Sequence, residues 1–142
     1  MKRVAMLLAV VLLFAIWPQT ATIRAQQKPE DLAQKSAQAW LALTDSGKYA
    51  ESWDEAAQLF KNSVTKEQWS GMVKAVRTPL GKVWSRKLKS AKYATTLPGA
   101  PDGEYVVIQY DTSFANKSSA VETITPMLDK DGKWRVSGYY IK

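Results

Sequence analysis

Ala120-Val121-Glu122-Thr123-Ile124-Thr125-Pro126-Met127-Leu128, then Asp129-Lys130-Asp131-Gly132-Lys133, then Trp134-Arg135-Val136-Ser137-Gly138-Tyr139-Tyr140-Ile141 is a pair of alternating runs around a turn. The register of that pair decides the fold. Asp129 suits the first position of a type I turn and Gly132 a left-handed one, which together predict a three-residue hairpin loop with a bulge. Pairing Asp129 with Lys133 sets Leu128 opposite Trp134, Pro126 opposite Val136, Ile124 opposite Gly138 and Glu122 opposite Tyr140. A tighter Asp-Gly turn would place Leu128 against Arg135 and divide the apolar residues between two faces.

The same parity extends upstream through Glu104–Phe114 if Ala115–Ser119 is a five-residue loop, which pairs Phe114 with Ala120, Thr112 with Glu122, Tyr110 with Ile124 and Val106 with Leu128. One face then gathers Val106, Ile108, Tyr110, Phe114, Ile124, Leu128, Trp134, Val136 and Tyr140, and is expected to be covered by helices. The other carries Tyr105, Val107, Gln109, Asp111, Ser113, Thr123, Thr125, Arg135, Ser137 and Tyr139, a mixture suited to a wetter surface.

Helices precede this sheet. Pro29-Glu30-Asp31 opens one that runs to Asp45, with Ser46-Gly47 as its stop. Tyr49–Phe60 makes a second, with Trp53, Ala56, Ala57 and Phe60 at helical spacing. Thr65 with Gln68 forms a capping box for the third, with Val64 and Trp69 as its hydrophobic staple and Trp69, Met72, Val73 and Val76 as its buried face. That helix is expected to stop at Arg77-Thr78-Pro79. A first strand follows over Val83–Thr95, with Trp84, Arg86 and Leu88 on one side and Lys87, Lys89, Ala91 and Tyr93 on the other. Leu97–Gly103 is too rich in Pro and Gly for regular structure and reads as an exposed loop. The fold class is therefore α+β, three helices on one face of a curved four-stranded antiparallel sheet.

Met1-Lys2-Arg3, the apolar run Val4–Trp17 and a polar segment ending at Ala25 have the pattern of a secretory signal peptide. The run is shorter than the roughly 20 residues of a spanning helix, and no Cys is present to accept lipid. Residues 1–25 are thus expected to be cleaved, leaving 26–142 as one α+β domain in the periplasm or outside the cell, with retention as an anchor the alternative. Loss of Lys2, Arg3 and Arg24 takes the formal charge from +7 to +4. With neither Cys nor His, the usual zinc, iron and copper sites and the Cys-His and Ser-His-Asp systems are unavailable, and no cofactor is expected.

Trp40, Tyr49-Ala50-Glu51-Ser52-Trp53, Trp69, Arg77, Pro79-Leu80-Gly81, Arg86, Pro98–Tyr105, Glu122-Thr123 and Gly132–Tyr139 together resemble a bacterial secreted family, the domain-of-unknown-function family 4019. The resemblance spans about Ala33 to Ile141 and implies no activity, so it transfers no catalytic residue. The order of elements also resembles the cone-shaped nuclear-transport-factor-2-like and cystatin-like folds, whose members include enzymes, ligand pockets and interaction modules.

Arg86 and Glu122 stand out because the register puts both on the covered face, with Arg77 arriving from a helix end; a charge there needs a partner. They read first as an ion pair at the helix–sheet junction, and Glu122→Gln is expected to cost roughly 1 to 3 kcal/mol if that pair is buried. The alternative is a ligand pocket formed by Arg77, Trp84, Arg86, Tyr110, Glu122 and Tyr140. Lys82, Arg86, Lys87, Lys89 and Lys92 form a basic run that protects a strand edge. After export nucleic acid is not its partner, and an anionic envelope polymer or lipid is a weaker alternative. The expected role is a non-catalytic binding or interaction module for a small molecule, peptide or envelope protein. The alternative is a pocket enzyme working through carboxylate, Tyr or Lys groups.

Overall fold

The computed structural model describes residues 26–142, so the signal-peptide expectation lies outside the described residues. Within them, helices α1 (Pro29–Asp45), α2 (Tyr49–Asp54), α3 (Gln58–Ser63) and α4 (Lys66–Leu80) precede strands β1 (Val83–Ala94), β2 (Tyr105–Phe114), β3 (Lys117–Leu128) and β4 (Trp134–Ile141). The strands form one antiparallel sheet in the order β1-β2-β3-β4, and the helices bury their apolar stripes on the face bearing Val106, Ile108, Tyr110, Ile124 and Val136. This is the expected α+β class, with four helices in place of three.

The extra helix comes from a break in the expected Tyr49–Phe60 segment. Ala57 adopts extended geometry (φ −62, ψ 153), and its amide donates to the Val136 carbonyl at 2.8 Å, tying the chain to β4. A β-strand hydrogen bond thus outcompetes helix continuation. In α4 the capping box forms in both directions, Gln68 N to Thr65 Oγ1 at 3.2 Å and Thr65 N to Gln68 Oε1 at 3.0 Å. The helix continues through Pro79 to Leu80. Pro79 costs only the bond to a carbonyl one turn back, and the turn beyond is held because Asn116 donates to the Pro79 and Leu80 carbonyls at 3.0 and 2.9 Å. Gly81 ends it at φ 75, where an added Cβ would lie 3.0 Å from the Ala115 Cβ. Only Trp69, Val73 and Arg77 of α4 are buried; Met72 and Val76, expected in the core, occupy the adjacent stripe and are 59% and 51% exposed.

The β3–β4 hairpin keeps the expected loop, with Asp129 N donating to Lys133 O at 2.8 Å and Gly132 at φ 80. Leu128 pairs with Trp134 and Pro126 with Val136, as expected, but a bulge between Thr125 and Pro126 advances the rest by one. Ile124 pairs with Tyr139 and Glu122 with Ile141. Pro126 has no amide to give the ladder, and β3 is a central strand, so the irregularity falls there. The Ser137 hydroxyl closes it by donating to the Thr125 carbonyl at 2.7 Å. Tyr139 therefore turns into the core and Tyr140 out of it, the reverse of the expectation. Tyr139→Phe is expected to cost about 1 to 2 kcal/mol in a denaturant melt, and Tyr140→Phe less than about 0.5. The opposite ranking would restore the unbulged register.

The β2–β3 turn is shorter than expected. Phe114 pairs with Lys117, so Thr112 faces Ala120, Tyr110 faces Glu122 and Ile108 faces Ile124. The turn is docked on the end of α4 through Asn116 and through Ala115 N, which donates to Lys82 O at 2.8 Å. A displacement of two residues preserves the faces, which is why the covered set survives. Two residues assigned to the wetter face, Tyr105 and Thr123, are buried: the 95–103 loop folds back so that the Tyr105 hydroxyl donates to Pro101 O at 2.6 Å. In β1, bulges between Val83 and Ser85 and between Leu88 and Ser90 interrupt the alternation. Ala91 and Tyr93 now pair with Ile108 and Val106 of the covered face, and Trp84, expected beside Arg86, is 71% exposed.

Candidate functional site

At the junction of α1, α4 and the sheet sits a chain of alternating charges. Arg77, held by the last turn of α4, donates to Asp45 Oδ1 at 2.7 Å and to Thr44 Oγ1 at 3.2 Å. Asp45 ends α1 and accepts from Arg86 at 2.8 and 3.1 Å. Arg86 reaches across Thr112 of β2 to Glu122 on β3, with Nε to Oε1 at 2.7 Å and Nη2 to Oε2 at 3.2 Å. The small side chain of Thr112, opposite Arg86 on the intervening strand, leaves room for this reach. Glu122 is fully buried and also accepts from the Thr112 hydroxyl at 2.6 Å and from the Tyr139 hydroxyl. Two guanidiniums and two carboxylates thus neutralise one another, with Arg77 and Glu122 buried and Arg86 and Asp45 16% and 29% exposed, and pairing is the condition under which buried charge is tolerated.

The electrostatics follow from this packing. Burial pushes the Asp45 carboxyl up, but hydrogen bonds and charge from Arg86 and Arg77 outweigh it and hold the group below its ordinary value. Burial likewise disfavours charged Arg86, and its bonds to Asp45 and Glu122 overcome that and raise its pKa. Burial, then the Glu122 charge and hydrogen bond, drive the Tyr139 hydroxyl well above its usual value, so it stays a donor. Because Asp45 has a depressed folded pKa, its contribution to stability is complete above the unfolded carboxylate value of about 4 and is lost as pH falls through the lower folded value. Denaturant midpoints should therefore fall below about pH 4. Asp45→Asn should flatten that part of the pH profile and cost about 1 to 2 kcal/mol at neutral pH, since the side chain is 29% exposed. An unchanged acid slope in this variant would contradict the assignment.

Of the residues expected to form a pocket, the structure brings Arg77, Arg86 and Glu122 into one network. Tyr110 pairs with Glu122 across the strands and is buried, but among the described residues its hydroxyl has no hydrogen-bond partner, as is true of Arg77 Nε. Trp84 and Tyr140 do not join: the first is exposed beyond the β1 bulge, and the second is 50% exposed with the Lys142 ammonium 5.6 Å from its ring centre. Sequence reasoning missed Asp45, Thr44, Thr112 and Tyr139. Asp45 had a signal, because an acid in the last turn of a helix opposes the macrodipole and asks for a cation. Pro126 in a central strand was the signal for Tyr139.

Each carboxylate oxygen of Asp45 and Glu122 accepts at least one hydrogen bond within this network. A groove of about 900 Å³ lies elsewhere, between α1 and the β3–β4 hairpin, with Leu32, Leu43, Leu128 and Trp134 among its apolar walls and Lys35, Glu55, Glu104 and Lys133 among its charged groups. It contains none of the six expected site residues. Gln26 and Gln27, where the described chain begins, form part of its rim.

No curated protein matches the chain. One family model does, over residues 36–139, from the middle of α1 to Tyr139 of β4, and so takes in Asp45, Arg77, Arg86 and Glu122 together with the whole sheet core. On that match the chain belongs to the family described as "Protein of unknown function (DUF4019)".

Proposed function

We propose that this chain is an exported, non-catalytic interaction module that engages an envelope or extracellular protein through its outer surface. The observation that carries the reading is the contrast between a self-neutralised polar interior and an apolar exterior. Inside, Asp45 and Glu122 are consumed by Arg77, Arg86, Thr112 and Tyr139, which leaves no group poised for acid–base work. Outside, Met72, Val76, Trp84 and Leu88 are each at least half exposed. Covering the exposed half or more of each such side chain is worth roughly 1 to 2 kcal/mol apiece, which a partner would recover.

Export is supported by Met1-Lys2-Arg3, the Val4–Trp17 run and Ala25. Helices preceding a four-stranded antiparallel sheet are the element order expected of nuclear-transport-factor-2-like and cystatin-like folds, which host such modules. Amino-terminal sequencing of the exported protein is expected to begin near Gln26, and recovery of Met1 or Lys2 in the membrane fraction would overturn this. A second reading, a small amphipathic ligand, is favoured by the volume and apolar walls of the groove beside α1.

Native mass spectrometry of the exported protein separates the two. The interaction reading expects a protein-sized adduct that is lost in Trp84→Ser and Leu88→Ser while the melting curve is kept. An adduct of small-molecule mass, unaffected by those changes and lost in Trp134→Ala, would replace it with the ligand reading.

A further inference from the structure

We propose that β1 takes an extended acidic segment of a partner protein as an added strand at its outer edge. This rests on the interaction-module reading and names the surface and the chemistry of the partner.

The two edges of the sheet differ. At β4, the Trp134 carbonyl accepts from the Ser36 hydroxyl at 2.8 Å and the Val136 carbonyl accepts from the Ala57 amide at 2.8 Å, so α1 and α3 block that side. β1 is a 12-residue strand at the end of the order β1-β2-β3-β4. Among the described residues, no backbone hydrogen bond from outside the sheet reaches Val83–Ala94. Its unpaired amides and carbonyls are a template for another strand.

The side chains of β1 specify what that strand should look like. Leu88 and Tyr93, on the helix-covered side opposite Tyr110 and Val106, are 50% and 40% exposed. Lys87 and Lys92, on the open side opposite Asp111 and Val107, are exposed, as is Lys89. The Lys89 ammonium lies 3.6 Å from Asp111. An incoming strand alternating acidic and apolar residues would put carboxylates over the lysines and apolar groups over Leu88 and Tyr93. Lysines and bulges are the usual protection of an edge, and here they exclude a second copy, because β1 paired with β1 sets Lys against Lys. The same cations favour an acidic occupant, so rejection of self and selection of partner share one device. The bulges at Val83/Ser85 and Leu88/Ser90 leave Ser90–Ala94 as an uninterrupted stretch in register with β2, which sets the core length of the bound segment.

The test uses three fluorescent heptapeptides: alternating Glu-Val, alternating Lys-Val, and Glu-Val with every second amide N-methylated. The protein is expected to bind Glu-Val at least roughly tenfold more tightly than Lys-Val, to lose about tenfold in Lys87→Glu/Lys92→Glu, and not to bind the N-methylated form. Amides of Ser90–Ala94 should gain protection from hydrogen exchange in the complex. Equal binding of the N-methylated peptide would show a charged patch without strand addition and overturn the proposal, as would equal binding of Lys-Val, failure of Glu-Val to bind at low salt, or dimerisation through β1. If the peptides fail while Trp84→Ser and Leu88→Ser still abolish the protein-sized adduct, strand addition falls and the interaction reading stands. If no such adduct exists, the interaction reading falls on its own evidence.

Discussion

Glu122→Gln is expected to lower stability by about 3 kcal/mol, equivalent to roughly 10 °C in Tm for a domain of this size. The carboxylate is fully buried and meets Arg86 through both oxygens. Gln keeps the volume but offers one acceptor oxygen in place of two and turns its amide donors toward Arg86. The guanidinium then keeps Asp45 as its anion but loses half its compensation. Removing one member of a buried pair leaves the other's desolvation cost unopposed, which puts the effect at the upper end of the range expected from sequence. Arg86→Met in the same background should be strongly non-additive, with a coupling of about 1 to 3 kcal/mol, because the second change removes the stranded charge. A loss below about 0.5 kcal/mol for Glu122→Gln would mean that water reaches the site and the network is not closed.

Trp40→Ala should cost about 4 kcal/mol, and Trp84→Ala less than about 0.5. The surroundings of these two tryptophans differ. Trp40 is buried, with its ring centre 5.7 Å from Trp69 and 5.3 Å from Tyr139, and its indole N–H donates to Ser52 O at 2.8 Å. The Ser52 hydroxyl in turn accepts from the Trp69 indole at 2.9 Å and donates to Tyr49 O at 2.6 Å, so α1 and α4 both bond to one buried residue of α2, the first at its carbonyl and the second at its hydroxyl. Truncation at Trp40 opens a cavity, removes an aromatic contact to β4 and strands the Ser52 carbonyl. Trp84 is 71% exposed, and its truncation removes little that is buried. Comparable losses at the two positions would place Trp84 in a core that the β1 bulge rules out.

The elements whose signals are local were legible in the amino-acid order. The capping box at Thr65 and Gln68, the start of α1 at Pro29, and the Asp129–Lys133 loop each depend on residues within one turn of one another, and each forms as read. The covered face of β2 and of its β3 partner was also legible, because a side-chain period of two survives a register displacement of two. The pairing of Arg86 with Glu122 followed from the cost of an isolated buried charge, which holds whatever the exact path between them.

What only the tertiary structure decided was everything settled by competition between distant groups. The amide of Ala57 chose β4 over its own helix, the Pro126 bulge exchanged Tyr139 for Tyr140, and α4 docked so narrowly that Met72 and Val76 remained in water. Asp45 entered the network because α1 and α4 end side by side, bringing Arg77 and Arg86 to one carboxylate. None of these outcomes has a sequence period, since each depends on which partner reaches a polar group first once the helices are packed on the sheet.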